Sequence, residues 1–115
     1  MSDAPVLGGL HRMEDFDTAD DFAKKHTPFI DATRDGDTVT VTVAVGHYVS
    51  HPNAVDHFIE YIELQVGGAA IARFDFSAVA VDPKVTAVLH LDPETKLTAI
   101  ESCNLHGVWA ADITV

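Results

Sequence analysis

An all-β fold, a seven-stranded immunoglobulin-like antiparallel β-sandwich, is what this 115-residue chain predicts, on three observations. One segment alternates strictly between valines and small or polar residues. The apolar runs are short and broken by turn signals at regular intervals. No convincing long helix appears in the pattern. The elements follow in order. Residues 1–24 are polar and acidic, with the run EDFDTADDF, and read as an N-terminal arm or loop with room for one short helical turn. Residues 25–115 read as a single β-sandwich domain, since a chain of this size holds one core. TVTVTVAV (38–45) places Val39, Val41, Val43 and Val45 on one face and Thr38, Thr40, Thr42 and Ala44 on the other. Arg34-Asp35-Gly36-Asp37 before it is a turn, so residues 28–33 form its hairpin partner. FIEYIELQV (58–66) carries two periods: Ile59, Ile62 and Val66 suit a helix, whereas Ile62, Leu64 and Val66 suit a strand. Gly67-Gly68 and the β-rich run AAIARFDFSAVAV follow, which favours strand-turn-strand. Asp82-Pro83 and Asp92-Pro93 punctuate the remainder as turns, leaving KVTAVLHL, KLTAIESC and VWAADITV as the last strands.

Charge narrows the partners. The formal charge is −11, from 18 acidic and 7 basic side chains. Such a surface repels phosphate backbones and anionic lipid, so neither nucleic acid nor membrane is an expected partner. The start, MSDAPVLGGLHRMEDF, lacks a basic stretch followed by an apolar run, and no apolar stretch is long enough to span a bilayer. The expected location is a reducing compartment, most simply the cytoplasm. One cysteine cannot make an internal disulfide, which agrees with that placement.

The chemistry lies in the histidines and that cysteine. Seven histidines are present: His11, His26, His47, His51, His57, His90 and His106. For any one of them a surface or packing role is the ordinary reading. Context changes this for four. His51 and His57 share the loop SHPNAVDH, where Pro52 biases His51 toward an extended backbone. His26 lies in KKHTP, just before a strand start. Cys103 and His106 flank a two-residue gap at a strand end, and Gly107 allows the chain a sharp turn. Loops at one end of a rigid sandwich are where sites are built. A Cys-x-x-His unit alone says little. Joined to two histidine-bearing loops it makes a five-ligand set. A thiolate with imidazoles suits zinc, copper or iron. Structural zinc closes at four ligands, one fewer than this set. Blue copper takes two histidines, a cysteine and a weak methionine, and the only methionines here, Met1 and Met13, lie far upstream of the cysteine. Iron with a vacant position remains.

The same segments resemble a known family. KHTP, then HPNAVDH followed by FIEYIEL, then CNLHGVW are similar to the three site segments of the superoxide reductases, the one-iron neelaredoxin type, in that family's order over residues 24–109. The resemblance implies a ferrous ion with four imidazoles, from His26, His51, His57 and His106, in a plane and the Cys103 thiolate below. The four-cysteine iron domain of the larger desulfoferrodoxins is not compatible with a single cysteine. It also implies a homo-oligomer, commonly a tetramer. The family's motif is commonly Glu-Lys-His-x-Pro, whose glutamate caps the vacant iron position after oxidation. Here Lys24 stands in the glutamate's place, and Lys25 matches the family lysine.

The implied reaction is one-electron reduction of superoxide to hydrogen peroxide, with rubredoxin or another small electron donor restoring the iron. An anion approaching a −11 body meets repulsion, and screening acts over about 8 Å at physiological salt, so Lys24 and Lys25 beside His26 form a local positive mouth. Lys25 is the expected catalytic residue. Asn104 and Leu105 are the expected backbone donors to the sulfur. Trp109 either shields the site edge or lies on a core strand. The principal rival is a cupredoxin-like electron-transfer protein. A metal-free sandwich and a structural zinc domain follow it.

Overall fold

The computed structural model describes residues 10–115; the first nine residues of the expected N-terminal arm lie outside the described residues. Two sheets face each other. The larger has the order β1-β8-β7-β4-β5 and the smaller β2-β3-β6. Here β1 is Leu10–Arg12, β2 Phe29–Asp35, β3 Thr38–Ala44, β4 Ile59–Val66, β5 Ala69–Asp75, β6 Lys84–His90, β7 Lys96–Cys103 and β8 Gly107–Thr114. The seven strands read from the sequence are β2 to β8, and every pairing among them is antiparallel. The three-residue β1 is an addition. It lies within the segment read as an arm and pairs in parallel with β8, bringing His11 level with Trp109.

The alternation of β3 sets the core. Val39, Val41 and Val43 are buried against the larger sheet, while Thr40 faces out and Thr42 and Thr86 bond hydroxyl to hydroxyl at 2.9 Å on the outer face. From the other side come Ile62, Leu64, Leu97, Ala99 and Cys103. The double period of residues 58–66 has a physical cause. The register between β4 and β7 shifts between Ile59 and Tyr61, a bulge at Glu60 that returns Ile59 to the core face alongside Ile62. Two buried isoleucines three residues apart look helical in sequence because the strand contains one extra residue.

One helix is present, α1, Asp21–His26. Asp20 caps it, accepting from the Ala23 N–H at 2.9 Å. It places His26 at its last turn, just before β2 begins at Phe29, as the reading of KKHTP beside a strand start expects. Lys24, Lys25 and His26 all fall in that final turn.

The sandwich has two unlike ends. At one, the Arg34 guanidinium gathers three strand ends by donating to the carbonyls of Gly36, Leu91, Asp92 and Val115 at 2.8–3.0 Å. At the other end lie α1, the β3–β4 loop and the β7–β8 turn, which carry the candidate ligands. Arg34→Ala is expected to lower stability by about 2 kcal/mol, since it leaves several carbonyls short of a charged donor. Thermal unfolding checks this, and metal content at the opposite end should be unchanged.

Candidate metal centre

Four imidazoles meet at the open end of the sandwich in a closed ring. Their ring centres are 4.9 Å apart for His26 and His51, 4.8 Å for His51 and His57, 5.1 Å for His57 and His106, and 5.2 Å for His106 and His26. Each neighbour stands nearly perpendicular to the last, at 73–82°. Such a square puts every ring centre about 3.5 Å from its middle, close to a roughly 2.1 Å metal–nitrogen bond plus the depth of the ring. The donor atoms of His26, His51, His57 and Cys103 all lie within 4.8 Å of one another. His106 is not in that tight group. It is exposed and completes the square from the solvent side.

Local structure aims the rings. His26 Nδ1 donates to the Phe22 carbonyl at 2.7 Å, one helical turn back, and His51 Nδ1 to its neighbour Pro52 at 2.6 Å. A carbonyl only accepts, so both rings carry their proton on Nδ1 and offer the Nε2 lone pair to the centre. The Nε2 atoms of His26, His51 and His57 are buried without a hydrogen-bond partner. Gly46 lets His51 approach. Its φ is +82°, and a Cβ there would lie 2.9 Å from the His51 nitrogen. Gly107, with φ +84°, turns the chain after His106 so that Gly107 pairs back onto Cys103.

Cys103 is buried at the end of β7. Burial raises its thiol pKa, and the N–H groups of Leu105 and His106 act in the opposite direction by donating to the sulfur. The sequence named Leu105 correctly and its companion wrongly. The tight turn points the N–H groups of the second and third following residues at the sulfur, while the Asn104 N–H donates to the Phe58 carbonyl. Trp109 is 7% exposed and both expected readings of it hold. It lies on β8 and stacks on His26 at 5.4 Å, and its Nε1 donates to the His106 carbonyl. Phe22 also packs against His26 and His106. Sequence reading passed over it. The Asp20 cap was the available signal, because a helix starting there places Phe22 one turn before His26.

The remaining histidines lie elsewhere. His47 stacks on Phe29 at 3.7 Å, His11 packs on Trp109, and His90 is exposed on the outer face of β6. The two lysines separate. Lys24 Nζ lies over the Phe16 ring, 4.4 Å from its centre. The Lys25 charge reaches His51 and His106, contributing to their lowered pKa values after burial and His57.

A thiol and imidazoles in this arrangement could hold one metal ion at the end of an all-β sandwich. The chain belongs to the desulfoferrodoxin family, whose sequence profile matches residues 18–112. It is 34% identical to the superoxide reductase of Pyrococcus furiosus over 80% of this chain and 89% of that protein. It is 37% identical to the desulfoferrodoxin of Nitratidesulfovibrio vulgaris over 83% and 68%. Among solved structures, the reduced superoxide reductase (neelaredoxin) of Archaeoglobus fulgidus superposes with a TM-score of 0.71 at 34% identity, over 84% of this chain and 94% of that one. The cofactor of the family is a mononuclear iron, and three unpartnered imidazole nitrogens beside one thiol are a donor set that fits it. The cupredoxin-like alternative is not supported. Blue copper takes two histidines, and four rings converge here.

Two titrations follow for the metal-free protein. Burial first, then the neighbouring imidazoles, lowers the pKa of His26 from 6.5 to about 4, and His51, also buried first of all, falls to about 4. Between those values the unfolded chain binds more protons, so stability falls as pH drops from 6.5 toward 4. Glu101 behaves oppositely. It is fully buried on the core face two residues before Cys103, neither of its oxygens has a partner, and burial, then Glu60, raises its pKa well above 4.5. The fold therefore favours its protonated form. That contribution is complete below the unfolded pKa and is lost as pH rises through the folded one. Glu101→Gln should lessen the decline with rising pH, to which the buried Cys103 thiol also adds, and leave the acid one, as read by urea midpoints across pH. A decline with rising pH unchanged from the parent would show that Glu101 does not contribute to it.

Proposed function

We propose that this chain is a superoxide reductase that reduces superoxide by one electron to hydrogen peroxide at a mononuclear non-haem iron held by His26, His51, His57, His106 and Cys103. The observation that carries the reading is the square of imidazoles around a buried thiol, in a chain of the desulfoferrodoxin family. Bound there, the iron would supply the one electron, and two protons from water complete the hydrogen peroxide. The protein supplies the rest. His26 and His51 are held as neutral rings by burial and by their carbonyl bonds, so their lone pairs are available at neutral pH. Phe22 and Trp109 exclude water from one side of His26.

Lys25 is the positioning charge for the substrate. In a body of charge −11, the ammonium whose field reaches His51 and His106 offers a small anion local attraction, while Lys24 is turned onto Phe16. Within about 8 Å that local charge outweighs the screened remainder. The same reading takes the cytoplasm as location, rubredoxin or another small electron carrier as donor, a homotetramer as assembly, and residues 25–115 as the iron-binding domain, to which β1 and the start of α1 add. Among the described residues no helix is long and apolar enough to cross a membrane.

Metal analysis of the isolated protein tests the core of this reading: about one iron per chain is expected, and copper or no metal would overturn it. Cys103→Ser should abolish superoxide reduction. Lys25→Ala should keep its iron yet lower the second-order rate by about tenfold and flatten its dependence on ionic strength, because the steering charge is gone. Pulse-radiolysis rates matching the parent at low and high salt would remove Lys25 from the mechanism.

A further inference from the structure

The β3–β4 loop carries His51 and His57, yet it has little backbone support. At its start the Val45 N–H donates to the Pro83 carbonyl at 3.0 Å; beyond that, its backbone bonds are the Ala54–His57 pair, at 2.9 and 3.0 Å, and the Phe58 carbonyl, which accepts from the Asn104 N–H at 3.2 Å. Two asparagine side chains supply further ties. On one flank Asn53 Oδ1 accepts from the Val79 N–H at 2.7 Å, and its Nδ2 donates to the Val81 carbonyl at 3.1 Å. On the other, Asn104 Oδ1 accepts from the Phe58 N–H at 2.9 Å, and its Nδ2 donates to the Asp56 carbonyl at 3.1 Å. A primary amide carries one acceptor and two donors, so each side chain presents the same pair of groups that a neighbouring strand would present.

We propose that Asn53 and Asn104 are positioning residues of the metal centre: each amide stands in for a missing strand partner and together they clamp the His51–His57 loop from both sides. Asn104 ties that loop to the turn bearing Cys103 and His106. Asn53 ties it to the segment between β5 and β6. Val79 in that segment has φ +71°, a conformation that a β-branched residue rarely adopts, and the N–H bonded by Asn53 is its own. The strained backbone is held where it serves the loop, so Asn53 fixes two segments with one side chain. The donors of His51, His57 and Cys103 come from elements separated by some fifty residues of sequence, and these amides set the spacing between them. Partners behind metal ligands typically change metal affinity by roughly 10–100-fold when removed.

The inference rests on the ligand set proposed above, and the experiment separates the two. Iron release from the holoprotein to a chelator is measured for Asn53→Ala, Asn104→Ala, Asn104→Asp and Arg34→Ala, together with the visible thiolate-to-iron absorption of the oxidised protein. Amide exchange at Phe58 and Val79 is followed in the metal-free protein. Both asparagine-to-alanine variants should release iron about tenfold faster. The absorption should shift in Asn104→Ala, where the sulfur's own turn is loosened, and stay put in Asn53→Ala. Asn104→Asp keeps the acceptor for Phe58 and loses the donor to Asp56, so it should fall between parent and alanine. Phe58 should exchange faster in Asn104→Ala and Val79 in Asn53→Ala. Release at the parent rate overturns the proposal. So does release no faster than in Arg34→Ala, which loses stability at the far end of the sandwich. A parent protein that binds no iron defeats the ligand reading, and unchanged exchange at Phe58 and Val79 defeats the clamps regardless of metal.

Discussion

Three imidazole nitrogens buried without a hydrogen-bond partner are the constraint around which the open end of this sandwich is organised. A polar atom withdrawn from water and given nothing in return costs about 1–3 kcal/mol. Here the cost is incurred three times in one place. The opposite nitrogen is tied to a backbone carbonyl in two of the rings, so those rings cannot rotate to relieve it. A cation is the partner that satisfies several converging lone pairs at once. The buried thiol adds to the case, because burial opposes its ionisation while two backbone N–H groups favour it. A metal resolves that balance toward thiolate, and the proton leaves as the metal enters.

The two ends of the sandwich divide stability from chemistry. At the closed end, a single guanidinium satisfies four carbonyls and the chain reverses through tight turns. At the open end, the connections are longer, glycines allow close approach, and asparagine amides replace ladder hydrogen bonds. The strands bridge the two with register shifts only in β4, one against β5 between Leu64 and Gln65 and one against β7 at Glu60. The bulge at Glu60 falls beside Cys103 and just after His57, so it lies where the sheet meets the centre. Glu101 adds a second irregularity nearby, an unpartnered carboxyl on the core face that a hydrophobic side chain would fill at lower cost.

Most of the sheet architecture was legible because it depends on periods of two and on turn residues. TVTVTVAV declares its buried face, and Gly67-Gly68 and Asp92-Pro93 declare chain reversals, all without reference to the rest of the molecule. The short elements were legible only in part: a single helical turn near the start was expected, its place and length were not. β1 has three residues and no alternation to detect, and it exists because the edge of β8 accepts it. α1 has six residues, fewer than an isolated helix needs, and it is stabilised by Asp20 and by docking Phe22 against the centre. The candidate ligands were legible from residue type and local context. Their geometry was not, since the difference between His106 at the exposed corner, the half-buried His51 and His57, and the buried His26 arises from the packing of separate loops. The sulfur's hydrogen bonds were half legible: the sequence shows that a turn follows Cys103, and only the turn's shape decides which N–H groups reach back.

The acidity of the chain and the position of its lysines form a related argument. A charge of −11 spread over a small sandwich raises no obstacle to folding that salt does not screen. It does oppose any anionic substrate. A fold can answer that either by lowering its overall charge or by placing one cation where the substrate must arrive. In the proposed reading the final turn of α1 takes the second course, with two adjacent lysines that face different ways. Lys24 rests on an aromatic ring and contributes packing. Lys25, one residue on and one residue before His26, contributes field. Because a helix rotates successive side chains by about 100°, neighbours in sequence cannot share a direction. The same six-residue helix therefore fixes His26, Phe22 and the steering charge together, and a helix this short is maintained by the centre it helps to build.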